Sequence, residues 1–259
     1  MTPPTPYPDV NGLLEDLLRR VQSLLGNQVV GLYLFGSLTS GDFDEDSDVD
    51  VLVVTDGELS QHLVSSLAVM HERIAVSHSP WGTQLEVSYI PQRALRRHDP
   101  DNALHPHLDR GKGERLHWTQ HGSDWVTQRY VLRERGITVV GPPPTALIDP
   151  VSSKELRQAM RVLLQEWIVP LLHNPTPIAN WGYQSYLVLS LCRILYTLQE
   201  GTVVSKPTAA CWAQQTLNPQ WHSLIDRAWL GRHYPDEPAP PADLSETLAF
   251  MKYASQTIS

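Results

Sequence analysis

An acidic loop between two apolar segments is the feature that most constrains how this chain can fold. Residues 34–54 read LFGSLTSGDFDEDSDVDVLVV and contain six acidic residues within the nine positions 42–50. The flanking segments VVGLYLF (29–35) and VDVLVV (49–54) are short, apolar and rich in β-branched residues, which is typical of buried strands. The last carboxylate, Asp50, belongs to the second strand. A carboxylate among apolar residues is unfavourable unless another group compensates its charge.

The spacing of the acidic residues indicates which cation compensates them. A calcium loop starting at Asp42 requires glycine at its sixth position and glutamate at its twelfth, where this chain has Ser47 and Val53. Asp48 and Asp50 are two residues apart, so on a strand they project from one face, roughly 6–7 Å from each other. Mg²⁺ takes oxygen ligands, commonly one or two carboxylates together with substrate phosphates. The pattern predicts Asp48 and Asp50 as ligands of a Mg²⁺ ion that arrives with a nucleotide. For the other acids of the loop, a solvated turn is the ordinary interpretation.

A glycine–serine pair directly follows the first predicted strand. A strand that ends in a glycine-containing turn can direct backbone N–H groups at a phosphate. Gly36 allows close approach of the chain, and the Ser37 hydroxyl can donate to a phosphate oxygen. Such a pair is common after strands, but here, after ten intervening residues, Asp48 and Asp50 open the next strand. The combination predicts a site for the phosphates of a nucleotide.

The first half of the chain alternates between helix and strand patterns. After an irregular, proline-rich arm (residues 1–10), apolar residues at helical spacing predict one helix ending at Gly26 and another over residues 58–76. The segment QLEVSYI (84–90) predicts a third strand. Residues 91–123 show little periodicity and favour loops with one short helix. Their histidines are interpreted as solvent-exposed loop residues instead of a zinc site, since no cysteine is close and no HExxH motif occurs. These histidines are His98, His105, His107, His117 and His121.

The second half of the chain has only helical patterns. A proline-rich stretch, residues 141–144, separates the two halves and indicates two domains, residues 1–150 and 151–259. Ser152 and Glu155 have the spacing of a capping box at the start of the first helix of the second half. Four further helices are predicted over residues 181–200, from 205 onward, over 219–230 and over 243–258.

The composition excludes several classes of protein. A net charge of −8 without a long basic run argues against binding an extended nucleic-acid backbone. No apolar run approaches the roughly 18 residues that span a bilayer, and the N-terminus lacks the pattern of a secretion signal, so we expect no membrane association. The two cysteines, Cys192 and Cys211, make a disulfide framework unexpected and favour a cytoplasmic protein.

The paired motifs Gly36-Ser37 and Asp48-Val49-Asp50 resemble the nucleotidyltransferase superfamily related to DNA polymerase β. Glu86 lies in the third predicted strand, where aminoglycoside adenylyltransferases of the streptomycin/spectinomycin type have a third carboxylate. The resemblance implies that Asp48 and Asp50 hold Mg²⁺, with two ions in the complete site. It also implies that Glu86 contacts the metal and acts as the base toward the acceptor hydroxyl.

The resemblance extends into the second half of the chain. The segments SLCRILYTL (190–198) and KPTAACWA (206–213) are similar to the helical C-terminal domain of those enzymes. It implies an α+β fold, in which a small mixed-sheet nucleotidyltransferase domain (1–150) is followed by an all-helical domain (151–259) that clamps the substrates.

The same resemblance assigns the nucleotide contacts. ATP is the implied co-substrate, and Ser37 and Ser47 correspond to contacts with its phosphates or with the metal. Arg193 and Lys206 correspond to the cations of the helical domain that reach the phosphates.

The acceptor is open at the level of sequence. The resemblance implies a small hydroxylated molecule of the aminoglycoside type and hence antibiotic resistance. Residues 113–115 read Gly-Glu-Arg where the streptomycin enzymes have Gly-Glu-Trp, and the stretch NWGYQSY (180–186) lacks the acidic residues of that branch. Two alternatives therefore remain: the same chemistry on a protein or RNA acceptor, as in toxin–antitoxin nucleotidyltransferases, and a nucleotide-binding module without catalysis. The sequence does not indicate the oligomeric state.

Overall fold

The chain divides into two compact units, Met1–Pro150 and Val151–Ser259. The structure is a computed structural model that describes residues 3–77, 79–235 and 237–257. No helix within these described ranges is both long and apolar enough to cross a membrane.

The first unit is built on one six-stranded sheet with strand order β5-β4-β3-β2-β1-β6. β2 and β3 are parallel, and all other neighbouring pairs are antiparallel, so the sheet is mixed as predicted. The strands are β1 (Val29–Leu34), β2 (Val49–Thr55), β3 (Leu85–Pro91), β4 (Leu104–Leu108), β5 (His117–Gln120) and β6 (Ile137–Val140).

Helices cover both faces of this sheet because the central strands are apolar on both sides. Val49, Val51 and Val53 of β2 pack in one hydrophobic cluster with α1 (Pro8–Leu25) and α2 (Gln61–Ala75). The alternate residues Leu52 and Val54 pack in a second cluster, together with residues of the helices on the opposite face. Those helices are α3 (Gln92–Leu95), α4 (Asp124–Arg135) and α5 (Pro144–Leu147).

The second unit is entirely helical in its described part. Its first helix, α6, begins with the predicted capping box, in which Ser152 and Glu155 exchange hydrogen bonds. The long central helix, α8, is capped by Asn180 and ends at Gly201 in the left-handed conformation. The α-helices are α6 (Ser153–Leu163), α7 (Val169–His173), α8 (Trp181–Glu200), α9 (Lys206–Thr216), α10 (His222–Gly231) and α11 (Pro241–Gln256), and a π-helical turn over Leu164–Ile168 joins α6 to α7.

These elements confirm the predicted α+β fold, with two exceptions in detail. The first helix begins at Pro8, so the irregular arm is shorter than predicted. The prediction of loops with one short helix over residues 91–123 holds for the short helix α3 but is wrong for residues 104–108 and 117–120, where β4 and β5 form a hairpin on the edge of the sheet. Residue 258, the end of the last predicted helix, lies outside the described residues.

Candidate active site

The structure brings the three predicted carboxylates together. Asp50 on β2 and Glu86 on β3 are register partners on neighbouring parallel strands, and Asp48 precedes β2 by one residue. One oxygen from each of the three carboxylates lies within 4.8 Å of the other two. Among the described residues, this is the one group of three acidic, histidine or cysteine side chains that converges in this way. A set of three carboxylate oxygens suits a hard cation such as Mg²⁺.

The position of Asp50 along its strand explains how a carboxylate is tolerated beside an apolar core. Asp50 and Glu86 are partly buried, whereas Leu52 and Ser88, two residues further on the same face, are fully enclosed. The apolar layer thus begins one residue pair beyond the acids. The carboxylates lie at the edge of the core, where water or a cation can still reach them.

Gly36 forms the wall of the acidic cluster. Its backbone has φ of 65°, a left-handed conformation that favours glycine, and a Cβ atom at this position would overlap Oδ2 of Asp50. The preceding N–H, that of Phe35, donates to the backbone carbonyl of Asp50 at 3.2 Å. The glycine is therefore required both by the turn and by the closeness of Asp50.

The two predicted serine contacts differ in their surroundings. Ser37 lies in the 3₁₀ turn Gly36–Thr39, and its Oγ is buried without a hydrogen-bond partner in the described part of the chain. The Ser47 hydroxyl donates to Oδ1 of Asp44 at 2.7 Å and accepts the Asp44 backbone N–H at 3.0 Å. Ser47 thus closes the turn that leads to Asp48, and its contact with a phosphate or the metal stays a prediction.

One residue of the cluster was missed by sequence reasoning. Arg110, in the loop between β4 and β5, contacts Oδ1 of Asp48 with its guanidinium group. The same nitrogen, Nη1, donates to the backbone carbonyl of Asp46 at 2.8 Å. Asp48 and Arg110 are 62 residues apart, and neither periodicity nor spacing signals such a pair.

The interpretation of the histidines as solvent-exposed loop residues is wrong for three of them. His105 and His107 lie on β4 and His121 directly after β5, and all three are buried. His107 shares a hydrogen bond with Ser88 between Nδ1 and Oγ at 2.8 Å. His117, on β5, is about half exposed.

Burial keeps these imidazoles neutral. It lowers the pKa of His121 to about 3, with the neighbouring histidines acting in the same direction. Desolvation also lowers the pKa of His105 and of His107, although Asp109 opposes the shift at His107. Another buried histidine, His71, has its pKa lowered to about 3 by burial and shares a 2.7 Å hydrogen bond with the Tyr89 hydroxyl.

Arg193 and Lys206 both lie in the second unit. Lys206 is the first residue of α9, and its ammonium lies 5.0 Å above the ring of Tyr186. Tyr186 and Arg193 are seven residues apart on α8, a spacing that places them on one helix face. The two cations thus belong to one surface of the second unit. Their role in phosphate binding stays a prediction.

Two protein families match consecutive parts of this chain. Residues 14–102 match the nucleotidyltransferase domain, a segment that includes all three clustered carboxylates. Residues 146–256 match the C-terminal domain of aminoglycoside adenylyltransferases. The first matched segment lies within the sheet unit, and the second covers most of the helical unit.

Relatives and a solved structure agree with these matches. The chain is 26% identical to a spectinomycin 9-adenylyltransferase of Staphylococcus aureus (strain Mu50 / ATCC 700699), over 93% of this chain and 92% of the relative. It is also 26% identical to an aminoglycoside (3'') (9) adenylyltransferase of Shigella flexneri, over 94% of each. A crystal structure of spectinomycin adenyltransferase AAD(9) from Enterococcus faecialis, with ATP and spectinomycin, has the same fold. Its TM-score is 0.73 at 17% identity, over 95% of this chain and 98% of that one. This chain therefore consists of a nucleotidyltransferase domain followed by a C-terminal domain of the aminoglycoside adenylyltransferase type.

Proposed function

We propose that this protein transfers AMP from MgATP to a hydroxyl group of a small aminoglycoside-type acceptor and releases pyrophosphate. The observation that carries the proposal is the convergence of Asp48, Asp50 and Glu86 on two neighbouring parallel strands. Adenylyltransferases are named among relatives that match the chain over nearly its whole length.

The three carboxylates have two roles, metal binding and proton acceptance. Asp48 and Asp50 would hold Mg²⁺, with Glu86 as a further ligand, since the set consists of oxygen donors only. When bound, Mg²⁺ supplies charge that stabilises the attacking and leaving oxygens of an in-line displacement. Glu86 accepts the proton of the acceptor hydroxyl. The hydroxyl oxygen then bonds to the α-phosphorus of ATP while the bond from that phosphorus to pyrophosphate breaks.

Other residues orient the nucleotide. Gly36 keeps the wall of the site free of a side chain, and the buried Ser37 hydroxyl is a donor suited to a phosphate oxygen. Arg193 and Lys206 supply two positive charges on one surface of the helical unit, suited to the triphosphate. Positioning and charge neutralisation are the main requirements of such transfers.

The acceptor class follows from the relatives and from the charge of the chain. Spectinomycin is the first candidate, because it is named in relatives and in the structural neighbour. A net charge of −8 suits a cationic small molecule better than a nucleic acid. Modification of such a drug implies that the protein confers antibiotic resistance.

Calorimetry with MgATP tests the metal-dependent part of the proposal. Asp50→Asn removes one carboxylate charge from the converging set, so we expect binding of MgATP to weaken by at least about tenfold. Glu45→Gln is the matched control, because Glu45 belongs to the same acidic loop but is exposed and outside the converging set, and it should bind like the wild type. Tight binding that is independent of Mg²⁺ and of Asp50 would instead indicate a nucleotide-binding module without catalysis.

Pyrophosphate release in an acceptor panel tests the second part. Wild-type protein with MgATP should release pyrophosphate on addition of spectinomycin or streptomycin, and the Asp50→Asn variant should not. No release with any aminoglycoside, combined with release on addition of a protein or RNA fraction, would overturn the small-molecule acceptor and retain the nucleotidyl transfer.

A further inference from the structure

The ion pair between Arg110 and Asp48 places a fixed positive charge on one of the proposed metal ligands. Arg110 lies in the loop after β4, and its Nη1 contacts both Oδ1 of Asp48 and the backbone carbonyl of Asp46. The next residue, Gly111, donates its backbone N–H to the carbonyl of Thr83 at 2.8 Å. This bond ties the loop to the segment just before β3, the strand that carries Glu86.

The cation has an electrostatic consequence for the acidic cluster. Three carboxylates with oxygens within 4.8 Å of one another repel each other, and Arg110 compensates part of this charge in the protein without metal. An arginine remains protonated throughout the pH range in which proteins are folded, so this compensation is permanent. The side chains of Asp48 and Arg110 are 29% and 44% exposed, which leaves the pair open to solvent and to ligands.

A divalent cation at the cluster has to share Asp48 with the guanidinium group. Two positive groups on one carboxylate repel each other, so Arg110 works against a metal ion that binds alone. A triphosphate changes this balance because its negative oxygens can accept hydrogen bonds from arginine while they contact the metal. Metal and nucleotide should therefore each strengthen the binding of the other.

We propose that Arg110 is a built-in counter-cation of the acidic cluster, which weakens the binding of a free divalent cation and couples it to the binding of nucleotide. The inference rests on the proposed function, since it takes Asp48 as a metal ligand. The effect of Arg110 on the affinity for a divalent cation can be measured without nucleotide and without turnover.

The test is a titration with Mn²⁺, followed by the electron paramagnetic resonance signal of the free ion, in the absence and presence of α,β-methylene ATP. Without nucleotide, Arg110→Gln and Arg110→Met should bind Mn²⁺ about 5- to 150-fold more tightly than the wild type, the usual range of such couplings. With the analogue, the difference should shrink, since the phosphates offset the positive charge. Arg110→Lys keeps the charge and should stay close to the wild type.

A matched control separates this local effect from a change in net charge. Arg93→Gln removes another arginine–carboxylate ion pair that is open to solvent in the same unit, that of Arg93 with Glu58 at 2.6 Å. Glu86 is near the start of β3, whereas Arg93 lies on α3, which follows the other end of that strand. Its Mn²⁺ affinity should equal that of the wild type. Either neutral Arg110 variant that retains the wild-type circular dichroism spectrum decides the test.

The outcomes distinguish this inference from the proposed function. Equal, weaker or undetectable Mn²⁺ binding by the neutral Arg110 variants without nucleotide overturns the role of Arg110, as does an equal gain in Arg93→Gln. If the Asp50→Asn variant still binds Mn²⁺ together with the analogue as the wild type does, the metal site itself is overturned and this inference falls with it. Loss of binding in Asp50→Asn with no gain in Arg110→Gln overturns the role of Arg110 alone.

Discussion

Two adjacent rows of side chains on one face of the sheet carry titratable groups but differ in burial and in the partners of those groups. The first row joins Asp50 and Glu86 across β2 and β3. The second, one residue pair further along, joins Ser88, His107 and His117 across β3, β4 and β5. The acids are partly buried and their oxygens converge with that of Asp48, whereas Ser88 and His107 are enclosed.

The two rows differ because the apolar layer begins between them and because the protein provides hydrogen-bond partners for the histidines. His107 shares one ring nitrogen with Ser88 and has Asp109 3.3 Å from the other, so its polar atoms are satisfied within the protein. Its neighbour His121 packs on Trp125 with ring centroids 4.2 Å apart and stays neutral through burial. The acids of the first row instead lie partly buried at the edge of the core, and the exposed Arg110 contacts Asp48, the third member of their cluster. Burial thus makes His107 and His121 part of the core, whereas the carboxylates of the first row lie where a cation could reach them.

The largest effect should come from Glu86, because only the acidic row is proposed to react. Glu86→Gln removes the base without changing the size of the side chain, so turnover should fall by about 10²- to 10⁴-fold, the usual contribution of general-base catalysis. MgATP binding, measured by calorimetry, should change far less. Asp109→Asn is the control in the histidine row and should keep turnover within about threefold, since its partners His107 and His117 do not react.

Equal losses of turnover in Glu86→Gln and Asp109→Asn would contradict the proposal that only the acidic row takes part in the reaction. Turnover of Glu86→Gln close to that of the wild type would remove Glu86 as the base and leave Asp48 and Asp50 as proposed metal ligands.

The second effect concerns stability against acid and tests the buried histidines. The pKa values of His71 and His121 are about 3 in the folded protein and about 6.5 when unfolded, so below pH 6.5 the unfolded state binds more protons. Their stabilising contribution is complete above pH 6.5 and decreases as the pH falls. Each should lower the free energy of unfolding by about 1.4 kcal/mol per pH unit. Urea unfolding at pH 7.5, 6.0 and 5.0 measures this slope.

A variant makes the acid test specific to the histidine cluster. His121→Gln cannot take up the proton, so the slope between pH 6 and pH 5 should become smaller by about 1.4 kcal/mol per pH unit, whatever its effect on stability at pH 7.5. An unchanged slope would mean that His121 is protonated in the folded state and does not belong to the neutral core.

The carboxylates of the acidic cluster could be predicted from the sequence because two of them, Asp48 and Asp50, are close neighbours along the chain. Asp48 and Asp50 point to one side because strand side chains alternate, and Glu86 lies in a segment whose apolar pattern predicts a neighbouring strand. The family resemblance then connected the two strands. The capping box of Ser152 and Glu155 was predicted for the same reason, since its partners are three residues apart.

What sequence reasoning missed depends on contacts between distant segments. The segment 91–123 has proline and histidine on β4 and few apolar residues on β5, so its strands form through pairing with β3 and with each other. The burial of His107 follows from its register with Ser88, which no local pattern indicates. Arg110 reaches Asp48 only because the same hairpin brings its loop beside the start of β2.

The smallest effect tests whether the position of the Asp50 carboxylate depends on the absence of a side chain at Gly36. Gly36 and Gly41 both have positive φ, 65° and 79°, so an alanine at either position costs about 1–2 kcal/mol of backbone strain. A Cβ at Gly41 meets no atom within 4 Å, whereas one at Gly36 overlaps the Asp50 carboxylate. Urea unfolding should therefore show a loss of at least about 1 kcal/mol for both Gly36→Ala and Gly41→Ala.

Metal binding separates these two glycines. Gly36→Ala has to displace the Asp50 carboxylate from its place beside Asp48 and Glu86, so its affinity for Mn²⁺ in the presence of α,β-methylene ATP should fall, whereas that of Gly41→Ala should not. Equal affinities in the two variants would mean that the acidic row tolerates displacement of Asp50. The cluster would then owe its cation binding to charge alone, independently of the exact position of Asp50.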